Sequence, residues 1–184
     1  MSIVENSKIK LTYDDYVGFP EDGQRHEIID GDHCVTPSPS SYHQSILSRL
    51  HYQLFDQIEN TGRGRVLPAP MDVLLSKVDI VQPDILVVLE PRTIDITPKN
   101  VQCAPDLIVE ILSEATADRD RRLKKSLYEK SGVAEYWIVD PESRAVEQHV
   151  LKKATGRFED RGSFRGELSA EALPDVRNDL RKVW

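Results

Sequence analysis

Two stretches of this chain, Ile80 to Leu89 and Leu107 to Leu112, are rich in Ile, Leu and Val, and each carries one acid, Asp84 and Glu110. Runs of this length and composition are what strands covered on both faces of a sheet require. A third run, Glu135 to Asp140 (EYWIVD), reads the same way and is closed by Pro141. Between the second and third lies an amphipathic helix, Arg119 to Lys130, with Leu123, Leu127 and Tyr128 on one side and Gly132 as its C-cap. Strand, helix, strand in that order predicts a parallel pairing through a right-handed crossover. A mixed sheet with helices on both faces follows, which places the chain in the α/β class.

The remaining segments fit around that sheet. Leu11 to Val17 predicts a short helix, with Thr12 as N-cap and Asp15 three residues on. His26 to Val35 predicts a hairpin turning at Asp30-Gly31. After the loop Thr36 to Ser41, apolar residues at 46, 47, 50, 54 and 58 mark a long helix from Tyr42 to Asn60. Val66 to Ser76 is interrupted by Pro68 and Pro70, so its first half is irregular or an edge and Met71 to Leu75 is the better strand. Ala145 to Leu151 and Arg157 to Gly162 predict a further hairpin, and Leu173 to Trp184 a short loop and helix over a sheet edge. The core order is αβββαβ, flanked by N- and C-terminal β-hairpins. With 184 residues, one domain over 1–184 is expected, with residues 1–10 flexible.

Composition narrows the setting. No apolar run approaches the ~20 residues that span a bilayer, and the polar start MSIVENSKIK lacks the features of a signal peptide. Cys34 and Cys103 are the only cysteines and stand without partners at metal-ligand spacing, so a reducing cytoplasm is the expected location. The net charge of −7 argues against a general polyanion-binding surface. Arg119, Arg121, Arg122 and Lys125 nevertheless cluster in one helix and offer a local basic face.

The acids inside the apolar runs carry the chemistry. Strand alternation puts Gln82, Asp84 and Leu86 on one face, and Glu110 on a face with Ile108 and Leu112. A buried, unpaired carboxylate is costly, and two close together repel each other. A divalent cation answers both difficulties, and Mg²⁺ favours carboxylates with waters and phosphate oxygens. A single such acid is more often solvated or paired with an arginine. Lys124 shares a helix stripe with Asp120 and Tyr128, which by itself describes an ordinary surface ion pair. His43 stands on the apolar face of the long helix, where a core role is the ordinary one. Glu27 interrupts the first hairpin strand as either a site carboxylate or an outward residue. The sequence has no glycine-rich phosphate loop, no Gly-x-Ser-x-Gly elbow and no His-Glu-x-x-His helix.

Taken in order, the phrases His26-Glu27-Ile28-Ile29-Asp30-Gly31, Tyr42-His43-Gln44, Val81-Gln82-Pro83-Asp84-Ile85, Ala104 to Ser113 and Gly132 to Pro141 resemble a family of restriction-endonuclease-like proteins especially abundant in cyanobacteria. Pro83-Asp84 with Glu110 resembles the Pro-Asp…(Asp/Glu)-x-Lys motif, PD-(D/E)xK, of that superfamily. The resemblance implies a restriction-endonuclease-like core and Mg²⁺- or Mn²⁺-dependent hydrolysis of DNA; a homodimer is expected because cutting both strands calls for two sites. It implies metal ligation by Asp84, Glu110 and the Ile111 carbonyl. Glu27, His43 and Gln82 are accessory positions, and Arg119, Arg121, Arg122 and Lys125 would contact nucleic acid. The motif lysine is missing, since Leu112 stands two residues after Glu110, and the resemblance transfers its role to Lys124. Two alternatives stand beside a DNA nuclease: a nuclease fold kept as an inactive interaction module, and a nuclease acting on RNA.

Overall fold

The computed structural model describes residues 9–184, so most of the segment expected to be flexible lies outside the described residues. The part that is described is tied down: Lys10 forms an ion pair with Asp30, and the Leu11 N–H donates to the Gly31 carbonyl over 2.9 Å. Helix α1 (Tyr13–Tyr16) follows, its start closed by Thr12, whose N–H and Oγ1 both donate to Asp15 Oδ2. The first hairpin is β1 (Arg25–Ile29) and β2 (Asp32–Thr36). Its turn residues, Asp30 and Gly31, both have positive φ, 50° and 81°, the backbone that matches the twist of paired strands. Helix α2 (Ser41–Ile58) is capped by Ser40, whose side chain accepts the His43 N–H. It buries Ile46, Leu47, Leu50, Leu54 and Ile58, the stripe its periodicity announces.

Strand β3 (Gly64–Pro68) is an edge strand, as the prolines require. Strand β4 (Asp72–Ser76) belongs to a different sheet. The run from Ile80 to Leu89 is two strands rather than one. Strand β5 (Asp79–Val81) pairs with β4 and β1, and β6 (Ile85–Leu89) pairs with β3. Pro83 lacks the N–H a continuous ladder needs, and the chain changes sheets across Gln82-Pro83-Asp84. The short β7 (Asn100–Val101) lies beside β4. Strand β8 (Leu107–Ile111) is antiparallel to β6 and parallel to β9 (Glu135–Asp140), the parallel pairing expected from sequence.

The crossover helix is composite. It runs through α3 (Ala117–Arg119), a π-helical turn (Asp120–Lys124) and α4 (Lys125–Ser131), and ends at Gly132 with φ of 82°. The wide turn shifts the helix phase, so Leu123 is 45% exposed instead of joining Leu127 and Tyr128 in the core. Asp120 and Lys124 are buried in its place. Strands β10 (Ala145–Lys152) and β11 (Arg157–Phe164) form the expected second hairpin. The C-terminus departs from the helix expected there. Strands β12 (Glu167–Ala170) and β13 (Leu173–Asp179) make a third hairpin, followed only by a short 3₁₀ turn at Leu180–Lys182. In β13 the buried residues are Leu173, Val176 and Asn178, an irregular set that hides the strand period.

The larger sheet runs β11-β10-β9-β8-β6-β3 and the smaller β2-β1-β5-β4-β7. Side chains alternate across the larger sheet. Ile85, Val87, Val109, Trp137 and Val139 pack with α2 and the C-terminal hairpin on one face. Leu86, Val88, Ile108, Tyr136 and Ile138 pack on the other face with Ile29, Val73 and Val81 of the smaller sheet and with Leu127 and Tyr128 of α4. Among the described residues no helix is long and apolar enough to cross a membrane.

Candidate active site

Asp84 sits at the corner where the chain passes from one sheet to the other, next to the end of β8. Its Oδ2 accepts the Ile111 N–H over 2.8 Å and lies 3.1 Å from His43 Nε2, and its Oδ1 accepts from Arg25 over 2.7 Å. His43 Nε2 is also 3.1 Å from the Ile111 carbonyl oxygen. Burial pushes the Asp84 carboxyl upward, yet His43, Arg25 and the Ile111 N–H together hold it below the usual carboxylate value.

Glu110 faces the smaller sheet and the composite helix, as strand alternation predicts. Its Oε1 accepts from Lys124 Nζ over 2.8 Å and from the Tyr128 hydroxyl over 2.7 Å. Lys124 Nζ is equally close to Glu27 Oε1, 2.8 Å, and stands 4.0 Å from Asp120 Oδ1. Glu27 Oε1 also accepts the Gln82 N–H. Burial pushes Glu110 up to about 8 against the opposing pull of Lys124, with Asp120, Asp84 and Glu27 adding repulsion. Burial alone would lower the Lys124 ammonium; Glu110, Glu27 and Asp120 outweigh it and raise that group above its usual value.

The structure thus brings Asp84, Glu110, Lys124, Glu27, His43 and Gln82 to one cleft of about 480 Å³, bordered by the 36–40 loop, the start of α2 and the 111–116 segment. It also changes one premise. The two acids do not need an added cation to be tolerated, because Arg25 and Lys124 supply positive partners, and His43 a hydrogen-bond partner, from within the chain. Arg25 and Tyr128 were not singled out as site residues by sequence. Arg25 stands in a polar stretch, and Tyr128 looks like ordinary core.

The basic residues of the composite helix do not share one open face. Arg119 turns inward to Thr36 Oγ1 and lies 3.7 Å from Glu27 Oε2. Arg121 binds Asp140 and Glu147, and Arg122 pairs with Asp118 in solvent. Lys125 is half-buried beside them. Cys34 and Cys103 are free, half-buried thiols.

The acids fit a divalent cation in chemistry and in surplus. Asp84, Glu110 and the Ile111 carbonyl are oxygen donors of the kind Mg²⁺ takes. Glu27 Oε2 and Asp120 Oδ1 are buried without a hydrogen-bond partner, so the cluster has acceptor capacity that the protein's own donors leave unused. Among the described residues no group of three or more His, Cys, Asp and Glu side chains is arranged to hold a metal. A cation here would therefore rest on two carboxylates, a main-chain oxygen and water.

Comparison with known proteins bears on the family and the fold. No curated protein matches the sequence. A crystal structure of "a putative nuclease belonging to DUF820" from Anabaena variabilis is 18% identical, covers 94% of this chain and 97% of that one, and superposes with a TM-score of 0.78. At that identity the likeness establishes the fold. The family profile described as "Uma2: Putative restriction endonuclease" matches residues 13–181. The chain belongs to the Uma2 family and has its restriction-endonuclease-like α/β fold.

Proposed function

We propose that this protein is a metal-dependent endonuclease that hydrolyses DNA phosphodiester bonds. The observation that carries the reading is the meeting of Asp84, Glu110 and Lys124 in an open cleft, with buried acid oxygens left over. Asp84, Glu110 and the Ile111 carbonyl would hold Mg²⁺ or Mn²⁺. Such an ion, when bound, lowers the pKa of a water and offsets charge on the phosphate.

The chain's own residues do the rest. Arg25 and His43 fix the two oxygens of Asp84, so that carboxylate cannot rotate away from the cleft. Two of the three Lys124 N–H donors are committed to Glu27 and Glu110, and the third remains for a phosphate oxygen. Charge that builds on that oxygen as water adds to phosphorus is met by an ammonium already in place. The N-terminus of α2 has no acid in its first turn and opens onto the same cleft, which favours an anion. The attacking water passes a proton to solvent, the bond from phosphorus to the leaving oxygen breaks, and that oxygen takes a proton from solvent.

One cleft cuts one strand. Only a cut through both strands of a duplex would need two copies of the chain, and sedimentation reads whether a homodimer forms. The decisive experiment offers plasmid and single-stranded DNA with Mg²⁺ or Mn²⁺ to wild type, Asp84→Ala and Glu110→Ala. Wild type should cut and each variant should lose at least ~100-fold, as when an essential charge-stabilising group is removed. Equal cutting by all three would assign the activity to a contaminant.

One observation favours a second reading, an inactive interaction module. Arg25, His43 and the Ile111 N–H already satisfy Asp84 without a metal. Calorimetric titration with Mn²⁺ separates the two readings: heat that disappears in Glu110→Gln supports the enzyme, and no heat in wild type supports the module.

A further inference from the structure

We propose that the cleft accepts an unpaired DNA strand, with one base seated in a side groove next to Asp84 and a neighbouring base stacked on Tyr42. This rests on the nuclease reading and names its substrate more narrowly.

The groove, about 300 Å³, is continuous with the main cleft, because Arg25, Asp84 and the 36–39 loop border both. That volume is at the small end of ligand-sized cavities and suits a single heterocycle. Its lining combines the apolar Pro37, Pro39, Ala69 and Pro70 with the amides of Gln24 and Gln44. An apolar lining joined to amide groups suits a nucleobase, which has two apolar π-faces and a hydrogen-bonding perimeter.

Tyr42 lies on the border of the main cleft, in the first turn of α2, with 42% of its surface exposed. An aromatic ring held open beside a phosphate-sized site is what base stacking uses, and stacking tolerates any base.

Charge points the same way. The guanidinium charges at the cleft are paired within the protein, Arg25 with Asp84 and Arg119 with Glu27, although the Nε of each has no hydrogen-bond partner. Arg121, farther along the helix, is held by Asp140 and Glu147. A duplex presents its phosphates outward and needs many free cations to neutralise them. Its bases are paired and stacked, and one of them could enter the groove only by being flipped out of the helix. A strand with free bases meets no such barrier.

Fluorescence anisotropy tests this in Ca²⁺, using a labelled strand of about 12 nucleotides, within the usual site sizes, and the blunt duplex of the same sequence. The strand should bind at least ~10-fold more tightly than the duplex. Tyr42→Ala should weaken strand binding by about 10-fold, and Tyr42→Phe, which keeps the ring, should restore it. Equal or tighter duplex binding, or no effect of Tyr42→Ala, overturns the proposal. Cleavage in Mg²⁺ separates this inference from the reading beneath it. Duplex cut as fast as strand overturns the strand preference and leaves the nuclease standing. Tyr42-dependent strand binding with no cutting supports the strand site and overturns the nuclease.

Discussion

Lys124 faces three buried acids, with Glu27 and Glu110 at 2.8 Å and Asp120 at 4.0 Å. Lys124→Met would leave those carboxylates without their shared cation, a loss of about 3–5 kcal/mol for a broken buried pair. The sign with pH follows from the acids. Without the ammonium the folded pKa values of Glu110 and Asp120, already raised by burial, climb further above the unfolded ones, so stability is lost as pH rises and recovered as pH falls. Urea unfolding at pH 7 and pH 5 should show a smaller deficit at pH 5; an equal deficit would mean the cluster is not electrostatically coupled. His149 gives the opposite trend. It is buried with neither ring nitrogen bonded, and burial, helped by Lys125, lowers its pKa. The unfolded chain takes up a proton near pH 6.5 while the folded one resists. Stability is therefore full above about pH 6.5 and declines below it. His149→Phe should flatten the fall in melting temperature between pH 7.5 and pH 5.5, and an unchanged slope would reject the assignment. Sequence revealed Asp84 and Glu110 because a charge among aliphatic residues is conspicuous. It left Glu27 open, since an acid on a hairpin strand can face either way, and only the fold turns it toward Lys124.

At the scale of elements, β3 lies so close to β6 that Gly64 has no room for a side chain. An added methyl would press on the Val88 carbonyl and come within 2.9 Å of Leu89 Cα. Gly64→Ala should cost about 1–3 kcal/mol by overpacking, read as a lower urea midpoint with an unchanged slope. A neutral substitution would show that the edge strand yields freely. Elements with strong periodicity, such as α2 and the two predicted hairpins, were legible from residues alone. The composite helix was legible in place but not in phase, because a π turn has no clear sequence signal and carries Leu123 out to solvent. The third hairpin was missed where Pro174 and the irregular burial of β13 blur the two-residue repeat.

For the molecule as a whole, the net charge of −7 and the internally paired arginines predict weak dependence of DNA binding on salt. Proteins that make many phosphate contacts lose roughly 10³–10⁵ in affinity between about 50 and 200 mM salt. Here the loss for the single strand should stay within ~10-fold, corresponding to one or two released counterions. A steeper slope, measured by anisotropy across a salt series, would reveal a basic surface that the ion-pair network conceals. The larger sheet, its αβββαβ order and the parallel crossover follow from the three apolar runs. The switch between sheets within 80–89 does not, because hydropathy treats both halves of that segment alike and only Pro83 marks the break. That break makes Gln82-Pro83-Asp84 the shortest direct strand-to-strand step from the smaller sheet into the larger one, with Asp84 as its last residue. Because its Oδ2 accepts from Ile111 of the larger sheet and its Oδ1 from Arg25 of the smaller, a ligand that shifted one layer against the other would have to stretch the bonds of this carboxylate.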